Sequence, residues 1–139
     1  MYNLKEMLKH LNEELTHNLI LDGTKIQWYN DRIKKWKDGN KIAPVTIDIA
    51  LTRSCNYGCH FCYAMTQEND RSVIKKEHIF SFLDDAAEIG VKGISLVSDG
   101  ESTVSPIFVD TIERGSKNGI SMATATNGFL LNEDKLNKI

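Results

Sequence analysis

All three cysteines of this chain fall within eight consecutive positions, Cys55-Asn56-Tyr57-Gly58-Cys59-His60-Phe61-Cys62, spaced C-x3-C-x2-C. Unrelated buried cysteines scatter through a core and do not crowd one loop, so the spacing points to a metal centre. Three thiolates on so short a loop can converge on one centre but cannot supply a fourth ligand. Iron-sulfur clusters are normally held by four cysteines, and a three-cysteine cluster would leave one iron open, as catalytic metal sites leave a position open. Zinc is the alternative that the spacing allows. Structural zinc takes four protein ligands, and His60 is the adjacent candidate, awkwardly wedged between Cys59 and Phe61.

The surroundings of the loop suggest a fold. Residues 45–51 alternate apolar with polar or small side chains, the period of a strand, and Pro44 stands just before them, where a strand tolerates proline. Helical spacing then predicts a helix over 76–89, with Ile79, Leu83, Ala86 and Ala87 on its buried face and Gly90 ending it. Residues 93–97 read as a second strand and 98–103 as its loop. Ser105-Pro106 predicts the start of a second helix, with serine as cap and proline in the first turn. Phe108, Ile112 and Gly115 lie on one side of that helix, and Asn118-Gly119 ends it. Residues 120–125 read as a third strand and Thr126-Asn127-Gly128 as a turn. A last helix is predicted from Asn132, with Leu131 stapled to Leu136.

Ahead of these units, Leu4, Leu8, Leu11 and Leu15 form one apolar stripe, and Ile26, Tyr29, Ile33 and Trp36 form another that stops near Gly39. The expected organisation is a helical extension over 1–41 and an α/β domain over 42–139. Alternating β and α units make a parallel sheet. Ligands of such folds bind at the carboxyl ends of the strands. Parallel strands therefore bring the cysteine loop, residues 99–101 and residues 126–128 to one rim. Asp48 and Thr46 on the first strand are candidates to face the interior and touch ligand, although a solvated or internally hydrogen-bonded Asp48 is the favoured reading; Arg53 and Tyr57 are candidates to border the site.

On these residues the chain resembles the radical S-adenosylmethionine (radical SAM) enzymes. The cysteine loop matches that family's cluster motif, with Phe61 at its usual aromatic position, and Asp99-Gly100-Glu101 is similar to its Gly-Gly-Glu motif. The likeness covers about residues 42–131. It implies the first three βα units of a partial (β/α)6 TIM-like barrel, with a [4Fe–4S] cluster on Cys55, Cys59 and Cys62. The fourth iron would then hold the amino and carboxylate groups of S-adenosylmethionine. Reductive cleavage would yield a 5′-deoxyadenosyl radical that takes hydrogen from a substrate. Phe61, Asp99, Gly100, Glu101 and Asn127 would contact S-adenosylmethionine, Phe61 near the adenine. Asp99 stands where the family has its first glycine. Its carboxylate is a candidate acceptor for the ligand's ammonium group.

The implied partners are a low-potential electron donor of flavodoxin or ferredoxin type and a small-molecule or peptide substrate. Only three of the six units are present and the final helix is cut mid-pattern, so the expectation is a longer protein, or a second chain that completes the barrel. With 17 basic and 19 acidic residues, the chain offers no electrostatic reason to expect nucleic acid or a membrane as partner. An odd cysteine count without a secretion signal predicts a reducing cytoplasm.

Overall fold

The structure, a computed structural model, describes residues 24–68, 70–97 and 99–139. The leucine stripe from Leu4 to Leu15 and the side chain of Ile26 lie outside them. The chain divides between Ile42 and Ala43 into two units. In the first, a 3-10 segment, Thr24–Tyr29, leads into helix α1, Asn30–Lys37. Gly39 ends it at φ +81°, a left-handed turn that favours glycine. No residue of α1 is buried, and Trp36 is 63% exposed.

The second unit carries three parallel strands, β1 (Thr46–Asp48), β2 (Gly93–Leu96) and β3 (Ser121–Thr124), in the order β1-β2-β3. Thr46 pairs with Gly93 and Gly93 with Ser121, so the three strands run in register. Helix α2 (Lys76–Glu88) joins β1 to β2, helix α3 (Phe108–Lys117) joins β2 to β3, and a short α4 (Glu133–Leu136) follows. This is the expected α/β order with parallel strands.

The period-2 alternation explains the two faces of the sheet. Ile94 and Leu96 are buried, while Thr46, Asp48, Ser121 and Ala123 are exposed. The buried face packs with Ile79, Leu83 and Ala86 of α2 and Phe108 of α3. Each fully buried large side chain there contributes about 1.5–3 kcal/mol. A bidentate pair, Arg114 to Asp84 at 2.8 and 2.6 Å, ties α3 to α2, and Asn118 adds a bond to the same carboxylate at 2.7 Å. Gly115 lets Met122 of β3 pack close against α3: a Cβ there would lie 2.2 Å from the Met122 sulfur, and the methionine side chain would have to shift.

Three sequence expectations are corrected. The first strand is shorter than 45–51: after Ile49 N donates to Ser95 O at 2.9 Å, the chain leaves the ladder and Thr52 bridges Val73 in antiparallel fashion. Ser105 does not cap a helix with its hydroxyl. A 3-10 turn, Ser102–Val104, intervenes, Phe108 N donates instead to the Ser105 carbonyl at 3.2 Å, and the buried Ser105 hydroxyl has no hydrogen-bond partner among the described residues. Asn132 does cap α4, its side chain accepting from Lys135 N at 2.9 Å, but Leu131 packs on the core while Leu136 is left 53% exposed.

Candidate functional site

The cysteine loop is an excursion between two chain segments that pair with each other. Arg53 N donates to Ser72 O at 2.9 Å and Ile74 N to Leu51 O at 3.0 Å, closing its base. Thr52, buried, adds a hydroxyl bond to Ser72 O at 3.2 Å. Within the loop Cys62 N donates to Cys59 O at 3.0 Å, and a 3-10 turn, Tyr63–Thr66, follows. The three cysteines form no disulfide; Cys55 is exposed, Cys59 and Cys62 half-buried. All three line one cavity of about 430 Å³, together with Arg53, Arg71 and Asp99. Among the described residues no three His, Cys, Asp or Glu side chains close on one point as ligands of a single ion would.

The loop after β2 lies against this one, backbone on backbone. A Cβ at Gly100 would sit 2.5 Å from the Ser54 carbonyl oxygen and 2.6 Å from that of Thr52, so only glycine fits. Glu101 N donates to Ser54 O at 2.9 Å beside it. Asp99 does carry a side chain, and its carboxylate lines the cavity, accepting from Arg53 Nε at 3.1 Å and from the Tyr63 hydroxyl at 3.3 Å.

Glu101 is 4% exposed, and its carboxylate is engaged by the protein itself. Oε1 accepts from Thr103 N at 3.0 Å, from the Thr103 hydroxyl and from the Thr126 hydroxyl at 2.7 Å, and Oε2 accepts from Asn127 N at 2.8 Å. Burial alone would raise its pKa. The hydrogen bonds from Thr103, Asn127 and Thr126 outweigh that and hold it below the ordinary carboxylate value. Glu101 thus braces the loop after β3, where Gly128 takes φ +76°. The same loop reaches the cysteine loop: Asn127 Nδ2 donates to Asn56 Oδ1 at 2.9 Å, and the Tyr57 and Phe129 rings meet at 5.8 Å.

Three loops that follow three parallel strands therefore meet at one place. Asp99 stands in the cavity wall; Gly100, Glu101 and Asn127 stand behind or beside it; Arg53 and Tyr57 border it. Phe61 is 80% exposed and stacks edge-on to His60 at 5.2 Å, outside the cavity lining. Thr46 and Asp48 lie on the exposed sheet face and do not line the cavity. The bracing roles of Thr126, Asn56 and Tyr63 have no local sequence signal, because each depends on a partner 25 or more residues away that only the fold supplies.

The family model of the Radical SAM superfamily matches residues 49–139, all three loops included. The chain belongs to the radical SAM superfamily. It is 30% identical over 109 residues to an S-adenosylmethionine-dependent nucleotide dehydratase of Flammeovirga pacifica, a match covering 75% of this chain and 37% of that protein. It is 31% identical over 86 residues to a probable GTP 3′,8-cyclase of Saccharolobus solfataricus, covering 61% of this chain and 28% of that one. The chain thus spans well under half the length of these radical SAM relatives.

Among solved structures, Streptococcus suis SuiB bound to S-adenosylmethionine aligns with TM-score 0.63 at 21% identity, over 97% of this chain and 32% of that one. BtrN in complex with AdoMet and 2-DOIA aligns with TM-score 0.59 at 15% identity, over 70% of this chain and 42% of that one. At those identities the likeness is one of fold: the three-stranded sheet is the start of a radical SAM TIM-like barrel. The family's cofactors are a [4Fe–4S] cluster and S-adenosylmethionine. Among the described residues no helix is long and apolar enough to cross a membrane.

Proposed function

We propose that this chain carries the cluster- and sulfonium-binding part of a radical SAM enzyme. In this reading Cys55, Cys59 and Cys62 each ligate one iron of a [4Fe–4S] cluster and leave the fourth to S-adenosylmethionine. The observation that carries it is the wall of three disulfide-free thiols lining one cavity at the carboxyl rim of the sheet. Three thiols leave one position to a ligand from outside the protein, which suits a cluster with an open iron better than structural zinc, whose sites take four protein ligands.

When bound, the cluster would supply the electron for reductive cleavage of a carbon–sulfur bond of S-adenosylmethionine, the chemistry that starts hydrogen abstraction from a substrate. The protein's part is orientation and exclusion of water. Backbone groups of residues 99–101, fixed against Ser54 by Gly100, face the methionine end. Glu101 serves this from behind, as the brace that positions Asn127. Phe61, exposed at the loop tip, is available to an adenine ring. The electron comes from a flavodoxin- or ferredoxin-type donor in the cytoplasm. The substrate is a small molecule or a peptide: two relatives are named for nucleotides, and SuiB has also been solved bound to a precursor peptide.

Anaerobic reconstitution with iron and sulfide tests the reading. About one cluster per chain is expected, with loss of the brown chromophore in each of C55A, C59A and C62A. Equal iron content in the wild type and all three variants would overturn it.

A further inference from the structure

We propose that Asp99 is a positioning residue that clasps the cysteine loop shut, a role that rests on the cluster reading above. Arg53 stands two places before the first cysteine and Tyr63 directly after the last. Both donate to the one carboxylate of Asp99, Arg53 Nε to Oδ2 at 3.1 Å and the Tyr63 hydroxyl to Oδ1 at 3.3 Å. One side chain from a neighbouring loop therefore holds both ends of the segment that carries the thiols.

The clasp has a fixed anchor and a reinforced arm. Gly100 and Glu101, next in sequence, are packed and hydrogen-bonded to the Ser54 carbonyl, so the backbone that presents Asp99 cannot drift. Arg53 also donates to the Glu68 carbonyl at 2.8 Å and lies 3.6 Å from Asp70, tying in the segment that leaves the loop. The Arg53 and Asp99 side chains are only 28% and 30% exposed, which shields their charge-assisted bond from full solvent screening. A glycine at position 99 could make neither bond. Asp99 thus acts on the cluster through the loop, and its oxygens are already engaged before any ammonium group arrives.

The test uses the whole chain, reconstituted anaerobically as wild type, D99A, D99N, Y63F and the Y63F/D99A double variant. Loss of cluster absorbance to a chelator is followed without S-adenosylmethionine, together with electron paramagnetic resonance (EPR) of the reduced cluster. Losing both bonds should speed bleaching about tenfold in D99A, and losing one should speed it about threefold in Y63F. D99N, whose amide keeps one acceptor oxygen, should fall between wild type and D99A. The double variant should bleach no faster than D99A, since the two share a contact. The EPR signal of D99A should broaden as the thiolates sample more than one arrangement. Tyr63 is 58% exposed, so Y63F carries the test even where D99A misfolds. Wild-type bleaching in both D99A and Y63F would overturn the clasp. A wild type that assembles no cluster would remove the cluster reading itself.

Discussion

Two loops face each other across the same rim and are built on opposite plans. In the loop after β2, Glu101, Ser102, Thr103 and Ser105 are between 1% and 4% exposed, and the Glu101 carboxylate is satisfied by the chain itself. In the cysteine loop Cys55 is exposed, Tyr57 is 48% exposed and Phe61 80%. The first loop is a finished platform. The second borrows its order from the first, through the Glu101–Ser54 backbone bond and the Asp99 carboxylate, and turns its thiols to a cavity. A site that must receive a bulky inorganic group is well served by this division: one wall is rigid beforehand, the other is completed by the group.

The contrast can be broken most severely at Gly100. Replacing it with alanine puts a methyl group against two backbone carbonyls that cannot rotate away. The platform must then separate from the cysteine loop, at a cost of about 3 kcal/mol in urea unfolding. A change within about 0.5 kcal/mol, the usual range for a surface substitution, would show that the two loops are not in contact.

A smaller effect sharpens the same point. E101Q keeps the shape of the brace but loses the charge that its donors stabilise, for about 2 kcal/mol near neutral pH. Because the folded carboxylate has a lowered pKa, its contribution is fully present above the ordinary value of about 4.5 and is lost as pH falls through the lowered folded value. Wild-type unfolding midpoints should therefore fall over that acid window more steeply than those of E101Q. Parallel pH profiles would mean that Glu101 is not held as described.

The same division decides what could be read from the sequence. Periodic features were legible: the βα alternation, the buried faces of α2 and α3, the cap at Asn132 and the meeting of three loops on one rim all follow from spacing. The start of α3 was not, because Ser105-Pro106 has the composition of a helix start, while a 3-10 turn ends just before these residues at Val104 and the helix begins only at Phe108. Nor were the partners inside the site. Arg53 and Asp99 lie 46 residues apart, and Glu101 and Asn127 lie 26 apart, and nothing local in either sequence neighbourhood announces the pairing. Glu101 reads as a ligand contact in a motif; the fold uses its carboxylate as a brace, a distinction that depends on burial.

The central claim is that the protein leaves one corner of its cluster for a small ligand. EPR of the reduced, reconstituted chain with and without S-adenosylmethionine tests it most directly. The account predicts that the signal shifts when S-adenosylmethionine is added, because one iron is free to take it. A signal that is identical with and without the ligand, from a cluster whose four irons are all held by the polypeptide, would contradict it.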